Sequence, residues 1–130
     1  MGGSQTYNQL NNPSAPGARD SAVGWTDGSG NLWLFGGTGF SSSEPSQNGY
    51  FNDLWEYVPT TNQWTLIDGS ITIAQPGVYG MQGVPSSSNV PGGRYMASSW
   101  TDPFGNFWLF GGIGYDSVGQ YGVENDSSTI

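Results

Sequence analysis

The stretch Trp33-Leu34-Phe35-Gly36-Gly37 returns as Trp108-Leu109-Phe110-Gly111-Gly112, an offset of 75 residues. At the same offset Trp25-Thr26-Asp27 matches Trp100-Thr101-Asp102, Gly30-Asn31 matches Gly105-Asn106, and Ala22 matches Ala97. Further out, Pro16-Gly17-Ala18-Arg19 matches Pro91-Gly92-Gly93-Arg94, and Gly39 matches Gly114. Self-similarity at a fixed offset means one structural unit used twice, and that governs every later reading.

The unit reads as β-structure. Residues 21–26 and 31–35 flank Asp27-Gly28-Ser29-Gly30, and Asp-Gly between apolar runs is a strong hairpin signal. The second copy repeats the hairpin over residues 96–101 and 106–110, around Asp102-Pro103-Phe104-Gly105. Asp53-Leu54-Trp55-Glu56-Tyr57 alternates as a third strand should, Pro59-Thr60-Thr61-Asn62 has turn composition, and residues 63–67 make a fourth strand. No stretch predicts a helix, so the expected class is all-β. Two long connections remain, residues 38–52 and 68–93, and loops of that length usually carry function or are ordered by a partner.

Composition narrows the chemistry. The 130 residues suit one small domain or part of a larger one. With no Cys there are no disulfides, thiolate zinc sites or thiol nucleophiles, and with no His there is no Ser-His-Asp triad. The net charge is −8 and the only fixed side-chain cations are Arg19 and Arg94, which argues against nucleic-acid and anionic-membrane partners. No apolar run is long enough to span a membrane as a helix. The opening Met1-Gly2-Gly3-Ser4 lacks the basic and apolar regions of a signal peptide, while the acidic, Lys-free composition suits a secreted or cell-surface parent protein. Six Trp, seven Tyr and six Phe supply apolar area that must be buried somewhere.

Four antiparallel strands followed by a return to the same motif is the plan of a propeller blade. Arg19 before the first strand, the diglycine ending the second, Asn52-Asp53-Leu54-Trp55-Glu56-Tyr57 as the third and Asn62-Gln63-Trp64 opening the fourth resemble the kelch repeat. The resemblance implies a kelch-like β-propeller fragment: a cut inter-blade loop at 1–15, a complete blade at 16–67, a long inter-blade loop at 68–90, and a half blade of two strands with a truncated tail at 91–130. It implies structural roles for Arg19, Arg94, Gly36, Gly37, Gly111 and Gly112, and it makes Tyr57 and Trp64 wedges between blades. Galactose oxidase shares this fold, but its copper site needs His and Cys, which are missing here.

Closed propellers have about four to eight blades, and a lone blade cannot bury both its apolar faces. The expectation is therefore self-association, with a dimer favoured. One geometry pairs the 96–110 hairpins of two copies edge to edge about a two-fold axis.

Two kinds of site suggest themselves. Asp27-Gly28-Ser29-Gly30-Asn31 has the spacing that opens a calcium loop, and Asp102 and Asn106 repeat its ends. With Asp20 and Asp53 these form a candidate Ca²⁺ or Mg²⁺ set, drawn from an acidic pool that includes Glu56, Asp68, Asp116, Glu124 and Asp126. The competing reading of Asp27 and Asp102 is a hairpin turn held by side-chain-to-backbone bonds. Metal on such a set, between chains, would give a small hydrolase of esters or phosphoesters. Separately, Phe40, Tyr50, Tyr79, Tyr115 and Tyr121 lie among Gly, Ser and Asn in the loops, the composition of a recognition surface for a protein segment or a glycan. A binding or scaffold module is the primary reading, with the hydrolase as alternative.

Overall fold

The computed structural model describes residues 6–7, 13–41 and 46–130, and every regular element among them is a strand. Strands β1 (Thr6–Tyr7) and β2 (Pro13–Ala15) pair with each other, and β2 runs beside the outermost strand of the first large sheet. Part of the expected leading loop is thus paired strand, while residues 1–5 and 8–12 lie outside the described residues.

The first unit continues with β3 (Arg19–Asp20), β4 (Val23–Thr26), β5 (Leu32–Phe35), β6 (Thr38–Phe40), β7 (Asn48–Tyr50), β8 (Leu54–Val58) and β9 (Gln63–Asp68). Strands β4-β5-β8-β9 form a four-stranded antiparallel meander, and β3-β6-β7 form a small sheet at one end of it. The second unit is β10 (Arg94–Tyr95), β11 (Ser98–Thr101), β12 (Phe107–Phe110), β13 (Ile113–Tyr115), β14 (Tyr121–Val123) and β15 (Ser127–Thr129). Its sheets, β11-β12-β15 and β10-β13-β14, repeat the first unit's plan.

Two expectations need revision. The second unit was expected to stop at a hairpin, yet Ser127–Thr129 pairs with Trp108–Phe110 as a third strand. Main-chain bonds make a strand there without the apolar alternation that marks Leu54–Val58. Because β15 occupies that edge of β12, two such hairpins cannot join there into one four-stranded sheet. The loop at 38–52 also contains paired strands, with residues 42–45 outside the described residues.

The core lies between the two larger sheets. Val23, Trp25, Trp33, Phe35 and Leu54, which alternate onto one face of β4-β5-β8, meet Phe107, Leu109, Ala97 and Ile130 of the second unit. Trp25 stacks on Phe107 with ring centroids 5.5 Å apart, and Trp33 tilts against the same ring. Tyr57 and Trp64, expected as wedges between blades, pack against each other at 5.1 Å on the outward face of the first sheet, away from the seam with the second unit.

Backbone bonds stitch the units along the same seam. Gly37 N donates to Arg94 O (2.8 Å), Arg94 N to Phe51 O (3.1 Å) and Met96 N to Ser21 O (3.1 Å), while the Trp25 indole donates to Trp100 O (3.2 Å). The diglycine permits this approach. A Cβ on Gly36 would stand 2.7 Å from Arg94 O and one on Gly37 2.7 Å from Asp20 O, and both residues have positive φ.

The tyrosine surface and the carboxylates

The two arginines build equivalent frames. Arg19 holds Asp53 with two parallel bonds (Nη1–Oδ1 2.6 Å, Nη2–Oδ2 2.9 Å), while Nη1 also reaches Gly36 O and Nε reaches Gly17 O. Arg94 does the same with Asp126 (2.6 and 3.0 Å), Gly111 O and Gly92 O. Asp53 is fully buried and also accepts from the Trp55 indole at 2.7 Å; the Phe51 ring lies under the Arg19 guanidinium at 4.4 Å. Burial alone raises the Asp126 carboxyl, but Arg94's bonds and charge more than reverse this and hold it below its usual value.

Asp27 and Asp102 are turn residues in the structure. Asp27 Oδ1 accepts from Ser29 N (2.8 Å) and Asn31 N (2.9 Å), and its Oδ2 accepts the Trp33 indole (3.1 Å). In the second unit Asp102 Oδ1 accepts from Phe104 N and Asn106 N, and its Oδ2 accepts the Trp108 indole and Asn106 Nδ2, both at 2.9 Å. The Trp33 indole leads the lowering of the Asp27 carboxyl; Trp108, followed by Asn106, brings Asp102 down to about 2. Asn31 Nδ2 turns to Glu56 at 2.9 Å, and Asp20 lies exposed on β3. Among the described residues no three acidic side chains gather as a metal-holding group: Asp27 with Asn31 and Asp102 with Asn106 form two separate turns, and Asp53 lies in the Arg19 frame.

Three of the five candidate aromatics converge. Tyr50, from the small sheet of the first unit, stacks on Tyr95 at 4.8 Å and on Tyr121 at 5.3 Å, with Tyr115 tilted against it at 6.1 Å. Tyr115 and Tyr121 are direct partners across β13–β14, and the Tyr50 and Tyr121 hydroxyls are 3.2 Å apart. Ile113 and Val123 share this face, and Val123 is 83% exposed. Hydrogen bonding with Tyr121 is the main cause raising the Tyr95 phenol, and bonding with Tyr50 the main cause raising Tyr121. At neutral pH Tyr95 and Tyr121 therefore offer protonated hydroxyls beside apolar rings, suited to stacking and hydrogen bonding rather than nucleophilic attack.

Phe40 lies on the corresponding face of the first small sheet, opposite Asn48. Tyr79 belongs elsewhere: its hydroxyl accepts from Arg94 Nη2 at 2.5 Å and from Gly92 N at 3.3 Å, completing the Arg94 frame. Burial, opposed by Arg94 and aided by Asp126, pushes its phenol up to about 12. Tyr95 is the member that sequence reading missed. Its partner in the first unit is Asp20, so a change from acid to aromatic at an otherwise matched position was the available signal.

No protein-family profile matches the chain, and no curated protein matches it. Among solved structures the chain is similar to one described as "Structure of YjhT", at 25% identity and a TM-score of 0.54 over 80% of this chain. The chain spans 24% of that structure's length.

Proposed function

We propose that this chain is a binding or scaffold module of β-propeller type, built from kelch-like units, whose tyrosine surface engages a carbohydrate. Two sheet units at a fixed offset, packed face to face with the first unit's diglycine at the seam, support the propeller reading. The similarity to a structure about four times the matched length fits units drawn from a larger ring.

The observation that carries the ligand reading is the Tyr95–Tyr50–Tyr121 stack with Tyr115 beside it. Tyr50 stacks with both Tyr95 and Tyr121, which holds the cluster together. Tyr121, 52% exposed, presents its ring outward next to Val123. Rigid rings with a wet hydroxyl at one end give contact area at little entropic cost. Sugar rings suit such a surface because their C–H faces stack and their hydroxyls bond to phenols and to the nearby Asp20 carboxylate.

Affinity electrophoresis in gels containing soluble xylan, glucan, mannan and chitosan derivatives tests this. One polysaccharide should retard the chain, and Tyr121→Ala should abolish the retardation. Free migration in every gel, or a variant retarded like the parent, overturns the carbohydrate reading.

A further inference from the structure

The two faces that the large sheets turn outward are the same two kinds of face that meet inside the molecule. Internally, the Trp25–Trp33–Phe35 face of the first sheet packs on the Phe107–Leu109 face of the second. Register then leaves Leu32 and Leu34, the repeat partners of Phe107 and Leu109, on the outward face of the first sheet. It leaves Trp100, Trp108 and Phe110, the partners of Trp25, Trp33 and Phe35, on the outward face of the second. Leu32 is 44% exposed, and Trp100 and Phe110 are each 46% exposed. The two indoles project as a parallel stacked pair with centroids 5.9 Å apart. The opposite end of the molecule carries an open groove of about 430 Å³, lined in part by Leu32, Leu34 and Trp64.

We propose that a second copy of this chain docks head to tail, the Trp100–Trp108 face of one copy seating on the Leu32–Leu34 face of the next. The internal seam is the template for the contact. Moved along by one unit, the Trp25–Phe107 and Trp33–Phe107 ring contacts become Trp100 and Trp108 against Leu32 of the next copy. By the same operation the Trp25 indole bond to Trp100 O becomes a Trp100 indole bond to Trp25 O. Gly37 N to Arg94 O likewise becomes Gly112 N to Arg19 O.

The contact is heterologous, since different faces meet, so copies close into a ring or grow into a filament according to the rotation per copy. Each copy contributes two large sheets, and rings of about four to eight sheets correspond to about two to four copies. This association rests on the sheet faces and not on the tyrosine surface, so it stands or falls separately from carbohydrate binding.

The test is sedimentation equilibrium of the 130-residue chain, alone and as two variants. Leu32→Glu blocks one face and Trp100→Glu the other, with Phe110→Glu replacing the latter if its circular dichroism shows loss of fold. The parent should sediment at a multiple of 13.8 kDa and each variant at 13.8 kDa. An equimolar mixture of the two variants should recover a heterodimer, because each retains the face that the other has lost. A parent that stays monomeric at millimolar concentration, a variant that still dimerises alone, or a mixture that remains monomeric overturns the proposal.

Discussion

Arg94 belongs to both halves of the molecule at once: its guanidinium grips Asp126 of its own unit, while its backbone N bonds to Phe51 O of the other. Its carbonyl also receives Gly37 N, so both backbone polar groups of one residue are engaged across the seam. The equivalent Arg19–Asp53 pair is the more deeply buried of the two, with side-chain exposures of 5% and 0%.

That difference predicts unequal costs. Arg19→Met strands the Asp53 charge in the interior and should cost about 3–5 kcal/mol of unfolding free energy. Arg94→Met should cost less, because Asp126 retains 26% of its side-chain exposure and can recover water. Urea denaturation followed by tryptophan fluorescence gives both values, and equal costs would refute the argument.

The turn carboxylates predict acid sensitivity. Asp102 titrates near 2 in the folded chain against an ordinary value of 3.8, so its contribution is complete above about 3.8 and disappears as pH falls toward 2. Asp27 and Asp126 shift in the same direction. The urea midpoint should drop over that window, and Asp102→Asn should flatten the drop. Above pH 5 the midpoint should then hold steady for this group.

Metal addition gives a direct comparison between the turn and calcium-loop readings of Asp27 and Asp102. Since backbone amides and indoles already fill their oxygens, melting temperatures in EDTA and in millimolar Ca²⁺ should coincide within about 1 °C. A ligand at a hundred times its dissociation constant would add about 2.7 kcal/mol, which such a melt would reveal.

The two diglycines should respond differently to a methyl group. Gly36→Ala combines positive φ with a Cβ 2.7 Å from Arg94 O, and no nearby flexible side chain relieves that contact. At Gly111 the nearest atom, Glu124 O, would be 3.3 Å away, leaving mainly the left-handed backbone cost of about 1–2 kcal/mol. Thermal melts should show Gly36→Ala as clearly the worse substitution.

Tyr50→Ala removes two stacked contacts and should cost about 1–3 kcal/mol, whereas Tyr50→Phe keeps the stacking and should cost less than 1 kcal/mol. Near-UV circular dichroism should lose its tyrosine signal only in the alanine variant.

The large sheets were legible because their hairpins advertise themselves. Residues 31–35 and 106–110 are apolar runs behind Asp-initiated turns, and they became Leu32–Phe35 and Phe107–Phe110. The small sheets were hidden because their central pairs are glycine against glycine, Gly39 with Gly49 and Gly114 with Gly122, which leaves no alternation to detect. Ser127–Thr129 was missed for a related reason, since its strand is specified by pairing with β12 and not by its own side chains. Of the tyrosine cluster, Tyr50, Tyr115 and Tyr121 were singled out from loop composition. Their convergence was not readable, because it depends on one unit's small sheet leaning over the other's.

The bonds of Arg94 have a mechanical consequence. Prising the two halves apart would tear its amide and carbonyl from one half while its guanidinium stays anchored in the other. The seam therefore offers no hinge, and both halves should melt in a single cooperative event.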